Sequence, residues 1–231
     1  MVAPPPPAPA PYIAPLRPGD TVPAVPLIDQ DGRQFTLQDT GGEAAVVTFI
    51  YTRCADARMC PLVSAKFARM QANAASAHVR LVEITLDPTF DTPRVMQRYG
   101  AAYGADAHTW TLATGSTVAV DELAARFGIA TTRVTPSLIA HSEAAIVLDP
   151  KGRVASVIDG ASWDGSDVLA AARQSAGGGN GFIASARLWL AAAAAQCGSS
   201  GAAFSGAGVL AVLLLTTAVI TTLFVRGLRA G

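Results

Sequence analysis

Tyr51-Thr52-Arg53-Cys54-Ala55-Asp56-Ala57-Arg58-Met59-Cys60-Pro61 is the stretch on which the reading of this chain turns. Upstream, Ala45 to Tyr51 is a continuous apolar run rich in β-branched and aromatic residues, the pattern of a strand buried on both faces. Downstream, Val63, Phe67, Met70 and Ala74 recur at helical spacing, and Pro61 suits a first helical turn, where its missing N–H costs no bond. Two of the three cysteines therefore lie where a strand hands over to a helix. Thiols this close form a disulfide, exchange disulfides with another protein, or grip a soft metal ion. Cys60 is expected at the helix N-cap, where unpaired N–H groups favour thiolate, with Arg53 and Arg58 adding positive surroundings. A pair of buried structural cysteines is the bland alternative.

Working outward, Val25 to Asp29 and Gln34 to Leu37 flank Asp31-Gly32, a hairpin signal. Val79 to Thr85 reads as a second buried strand, Thr92 to Tyr103 as a helix, and Trp110 to Leu112 as a short strand. Asp121 to Phe127 reads as a helix closed by Gly128. Ala144 to Leu148 and Val154 to Ile158 flank the turn Asp149-Pro150-Lys151-Gly152, and a last helix follows. Strands alternating with helices, then a hairpin and a helix, describe an α/β domain with a mixed sheet. That order suits a thioredoxin-like fold with an added N-terminal β-hairpin.

His141 falls in Ser137-Leu138-Ile139-Ala140-His141-Ser142-Glu143, read as a loop before the strand Ala144 to Leu148. A thioredoxin-like layout sets this loop beside the one that follows the cysteine-bearing strand. His141 is then within reach of both thiols, and two sulfurs with one imidazole nitrogen suit Cu(I), which accepts soft ligands and low coordination. A solvated or merely hydrogen-bonded histidine is the competing reading, and it is the one adopted for His78 and His108.

Composition sets the outer limits. The chain has 231 residues, 51% of them hydrophobic, with 17 Lys and Arg against 17 Asp and Glu. Balanced charge without a basic run argues against nucleic acid as a partner. Three cysteines exclude a disulfide-dense scaffold. No charge occurs from Leu188 to Val225, and from Ala202 the segment reaches the roughly 20 residues that span a bilayer. Arg226 and Arg229 follow directly, so the tail is expected in the cytoplasm and the large domain outside, as at a bacterial inner membrane facing the periplasm. Met1-Val2-Ala3-Pro4-Pro5 lacks the basic start and apolar run of a signal peptide, so the expectation is an unrecognised or upstream signal. The expected organisation is a Pro/Ala-rich extended segment (1–18), the thioredoxin-like domain (19–175), a Gly/Ala-rich juxtamembrane linker (176–201), a transmembrane helix (202–225) and a short tail (226–231). Cys197, before the span, is read as an incidental small side chain.

The ordered motifs Gly19-Asp20, Val22-Pro23, Asp31-Gly32-Arg33, Phe49-Ile50-Tyr51-Thr52-Arg53-Cys54, Cys60-Pro61, Thr85-Leu86-Asp87-Pro88, Asp91-Thr92-Pro93, Trp110, Thr114-Gly115, Phe127-Gly128 and His141-Ser142 resemble the SCO/SenC family of copper-delivery proteins across Gly19 to Ser175. The resemblance implies a thioredoxin-like fold and one copper ion held by Cys54, Cys60 and His141. It also implies delivery to the dinuclear copper site of cytochrome c oxidase or another copper acceptor. Asp87 and Asp91 match an acidic pair near the metal loop, with helix capping the competing reading for Asp91. Two features depart from the family pattern. The spacing here is C-x-x-x-x-x-C-P rather than C-x-x-x-C-P, a change that costs little loop entropy, and the anchor is C-terminal. The alternative function is a thiol–disulfide oxidoreductase acting through Cys54 and Cys60, reducing that copper site or other exported proteins. A peroxidase of the peroxiredoxin type and a redox-inert interaction module are weaker readings.

Overall fold

The computed structural model describes residues 13–177. The apolar segment 202–225, the tail, Cys197 and most of the linker lie outside the described residues. Among those described, no helix is long and apolar enough to cross a membrane.

The central strand forms because seven successive residues can be buried at once. β3 (Ala44–Ile50) is solvent-inaccessible along its whole length, as a parallel strand covered on both faces must be. It pairs in parallel with β4 (Val79–Thr85), Ala44 opposite Val79 and Ile50 opposite Thr85. β4 pairs in parallel with β5 (Trp110–Ala113). On its other side β3 pairs antiparallel with β8 (Ala144–Leu148), which pairs antiparallel with β9 (Val154–Asp159), giving the order β5-β4-β3-β8-β9. Outside this sheet lie the short N-terminal hairpin of β1 (Leu27–Ile28) and β2 (Gln34–Phe35), and a second hairpin of β6 (Thr131–Thr135) and β7 (Leu138–His141). Gly32 holds the first turn with φ of 83°, a conformation that glycine reaches without strain.

The parallel strands need helical crossovers, and α1 (Cys60–Ser76) and α2 (Pro93–Tyr103) supply them. α3 (Thr117–Arg126) precedes the second hairpin, and α4 (Gly165–Ala176) closes the domain against α1, β3 and β8. Phe67 of α1 reaches Trp110 and Trp163, with ring centroids 5.7 and 6.3 Å away, and so joins helix, sheet and the entry to α4. This is the expected thioredoxin-like α/β architecture with its N-terminal hairpin.

Three details differ from the sequence reading. His141 ends a strand rather than sitting in a loop. α3 starts at Thr117, not Asp121, because the Ser116 hydroxyl caps it by accepting from Ala119 N. The chain is already tied to the domain ahead of Gly19, since Leu16 N donates to Arg126 O at 2.7 Å.

One buried carboxyl makes the core sensitive to pH. Glu83, in the middle of β4, is fully buried and accepts from Ser64 Oγ at 2.9 Å. Burial pushes its carboxyl up to about 8, against the smaller opposing pull of that hydrogen bond. The folded chain then keeps a proton that the unfolded chain releases, so stability falls as pH rises from the ordinary 4.5 to about 8. Glu83→Gln cannot ionise, so its thermal midpoint is expected to drop less than the wild type's between about pH 5 and about pH 9. Equal drops would contradict this assignment.

Candidate metal centre

Sheet register decides what meets at the site. β3 and β4 run in parallel to a common end, where Leu86 N donates to Ile50 O, so the loops after both strands emerge together. β8 runs the opposite way and starts at that same end, where Thr48 Oγ1 donates to Ala144 O at 3.1 Å. The residues just before β8, His141 to Glu143, therefore stand over the loop that carries the cysteines. The carboxyl ends of parallel strands are the usual ligand-binding edge of such sheets.

Cys60 is the first residue of α1, not its N-cap. Met59 takes the cap position and offers no side-chain bond. The Cys60 side chain is fully buried, and that burial outweighs the helix terminus. It pushes the thiol well above its ordinary range, and the neighbouring Cys54 and Glu143 add to the effect, so the metal-free residue is a thiol. The expected cationic surroundings are also spent elsewhere. Arg58 pairs with Asp56 inside the loop, and Arg53 pairs with Asp87.

His141 faces Cys60, with Nε2 lying 3.5 Å from Sγ. Its Nδ1 donates to Ser142 O at 2.9 Å. A carbonyl only accepts, so the proton is on Nδ1 and the Nε2 lone pair is aimed at the sulfur. Burial lowers the histidine pKa and keeps the ring neutral, the form that binds metal. Tyr51 fixes the ring from the side, edge-on at 5.9 Å between centroids. The hairpin holds its base, with Ser142 N donating to Ala130 O and Ala130 N donating to Ser142 Oγ.

Among the described residues, the set with mutually close donor atoms is Cys60, His141 and Glu143, all within 4.8 Å of one another. Cys54 stands outside this set. It is half-buried and free, beside Cys60, with Sγ 3.9 Å from Asp56 O. Glu143 was not singled out from sequence, although a residue two positions from His141 in extended chain shares its face. The site thus offers a thiol, an imidazole nitrogen and a carboxylate oxygen, with a second thiol alongside.

Asp87 and Asp91 hold this arrangement from beneath, and both are fully buried. Asp87 accepts from Arg53 Nε at 3.1 Å and from Arg53 Nη2, and on its other oxygen from Arg133 Nη2 at 3.3 Å and Thr89 Oγ1 at 3.2 Å. It therefore ties the residue before Cys54 to β6, the partner strand of the one ending in His141. Both arginines also donate to Pro136 O. Asp91 is not the cap of α2, since Thr92 occupies that position. Its carboxylate accepts from Thr52 N at 3.0 Å, Thr52 Oγ1 and Thr85 Oγ1, which pins the start of the cysteine loop to the end of β4. Burial raises its pKa, and the hydrogen bonds from Thr52 and Thr85 oppose that shift.

A thioredoxin-like domain with two free cysteines and a half-buried, tautomer-fixed histidine at the strand ends defines a class of thiol- and metal-handling proteins. Within that class the chain belongs to the SCO1/SenC family, whose model matches residues 15–176. A curated relative, the SCO1 protein homolog of Bacillus subtilis (strain 168), is 29% identical over 89 residues, covering 38% of this chain and 45% of that protein. The chain is thus matched over less than half the length of that relative. Two solved structures share the fold. BsSco, a member of the Sco family of cytochrome c oxidase assembly proteins in which a disulfide switch was identified, superposes with a TM-score of 0.60 at 22% identity, over 69% of this chain and 96% of its own. Arabidopsis thaliana ScoI with copper bound gives a TM-score of 0.57 at 21% identity, over 65% of this chain and 94% of its own.

The two thiols differ in exposure, which chemistry can read directly. Limited alkylation of the reduced, metal-free chain near neutral pH is expected to label Cys54 about 10-fold faster than Cys60, since only exposed thiolate reacts. Peptide mass spectrometry resolves the two sites. Faster labelling of Cys60 would contradict its burial as a thiol.

Proposed function

We propose that this chain is a copper-binding assembly factor that holds one copper ion through Cys54, Cys60 and His141 and passes it to the dinuclear copper site of cytochrome c oxidase. The observation that carries this reading is the 3.5 Å approach of His141 Nε2 to Cys60 Sγ, with Nδ1 already committed to Ser142 O. The copper-bound relative and the assembly role of the family support it.

The donor set suits the cargo. Thiolate sulfur and neutral imidazole are ligands for Cu(I), and the burial of Cys60 limits competition from water at that sulfur. Cys54, half-exposed on the longer loop, is the ligand that leaves first. An incoming thiolate or imidazole of the acceptor takes its place, and copper stays protein-bound throughout. The same half-exposed position lets Cys54 close onto an arriving ion, because two extra loop residues add little closure entropy. Attachment of the domain to the outer face of a membrane through segment 202–225 keeps the acceptor close.

The thiol–disulfide alternative is less favoured, because exchange through this pair needs Cys60 to attack or to resolve, and its buried thiol is a poor nucleophile for either step. Titration of the reduced full chain with Cu(I) against a competing chelator is expected to give one tightly bound equivalent, weakened about 10-fold or more in His141→Ala. Absence of Cu(I) binding, or binding indifferent to His141→Ala together with disulfide reductase activity retained in that variant, would overturn the proposal.

A further inference from the structure

The carboxylate of Glu143 has no role in the three-ligand reading, yet its placement is unusual. Both oxygens are shielded from solvent and have no hydrogen-bond partner. An ionised carboxylate left bare in this way is costly unless something satisfies it. Lys66 and Asp56 are the charged groups whose fields reach it, and they act in opposite directions. Lys66 is itself engaged elsewhere, donating from Nζ to Ala161 O and to Trp163 O at 2.7 Å and lying 4.4 Å over the Trp163 ring. Cys60 Sγ and a His141 ring nitrogen lie within 4.8 Å of one of the Glu143 oxygens. An ion bound between sulfur and imidazole would lie within reach of this oxygen.

Resting on the copper reading above, we propose that Glu143 is a further copper ligand, used when the ion is oxidised. Cu(I) is satisfied by two or three soft donors and gains little from a carboxylate. Cu(II) prefers four donors in a tetragonal arrangement that includes hard nitrogen and oxygen ligands. Cys54, Cys60, His141 and Glu143 supply two sulfurs, one nitrogen and one oxygen. The carboxylate also adds a negative charge that offsets the extra positive charge of Cu(II) in a buried site. Glu143 thereby favours retention of Cu(II), whereas Cu(I) would be held by Cys54, Cys60 and His141 without it.

The test uses the full chain with Cu(I) or Cu(II) alone, in wild type, Glu143→Gln and Glu143→Ala, with folding checked by circular dichroism. Both substitutions are expected to weaken Cu(II) about 10-fold or more and to change the copper hyperfine pattern in electron paramagnetic resonance, with Cu(I) affinity within about threefold of wild type. Unaltered Cu(II) affinity and spectrum in both variants overturn the proposal. So does a change confined to Glu143→Ala, which marks packing rather than the charged oxygen, and so does an equal loss for both oxidation states. Failure of the wild type to bind either ion removes the copper reading itself, an outcome distinct from the others.

Discussion

The approach of one imidazole nitrogen to one buried sulfur is the constraint around which this domain is organised. Cys60 and His141 are 81 positions apart, and three backbone facts bring them together. β3 ends where β4 ends, β8 begins at that end, and α1 starts at Cys60. None of these is local to the cysteine motif. A strand buried from Ala44 to Ile50 fixes the first two, because its neighbours on both sides must pair with it in register. The site is thus a consequence of how the core sheet is built.

Electrostatics then defines the resting state. With Nδ1 donating to Ser142 O and Cys60 held as a thiol by burial, the free Nε2 lone pair is placed to accept from the sulfur. The Cys60–His141 pair is then neutral. A metal ion held by Cys60 and His141 would take the place of the thiol proton and favour the thiolate that burial otherwise suppresses. The acidic pair below works differently. Asp87 spends its charge on two arginines, and Asp91 accepts from two threonines and a backbone N–H, so each serves as a structural anchor for the loops that bear donors.

Much of this was legible in the residues. Short, largely apolar runs of strand length gave β4 and β8 to the residue, and the 3.6-residue period from Pro61 located α1. The juxtaposition of His141 with Cys60 followed from element order. The β6–β7 hairpin escaped because Thr131 to Thr135 is exposed at every position and carries no apolar alternation. Asp91 resembled a helix cap because sequence places it one residue before Thr92-Pro93, whereas its buried carboxylate finds Thr52, 39 positions away. The acidity of Cys60 was misjudged for a related reason. A helix terminus is readable in sequence, but the depth of burial that overrides it depends on packing from distant segments. Glu143 lay in plain view, two residues from the histidine, and only the neighbours absent from its carboxylate set it apart.

The central claim is that two sulfurs and one imidazole nitrogen gather on a single ion. X-ray absorption at the copper edge of the Cu(I)-loaded full chain measures this directly. The account predicts two sulfur scatterers and one nitrogen scatterer with the multiple-scattering signature of histidine. A shell of one sulfur or none, or a spectrum without the imidazole signature, would contradict it.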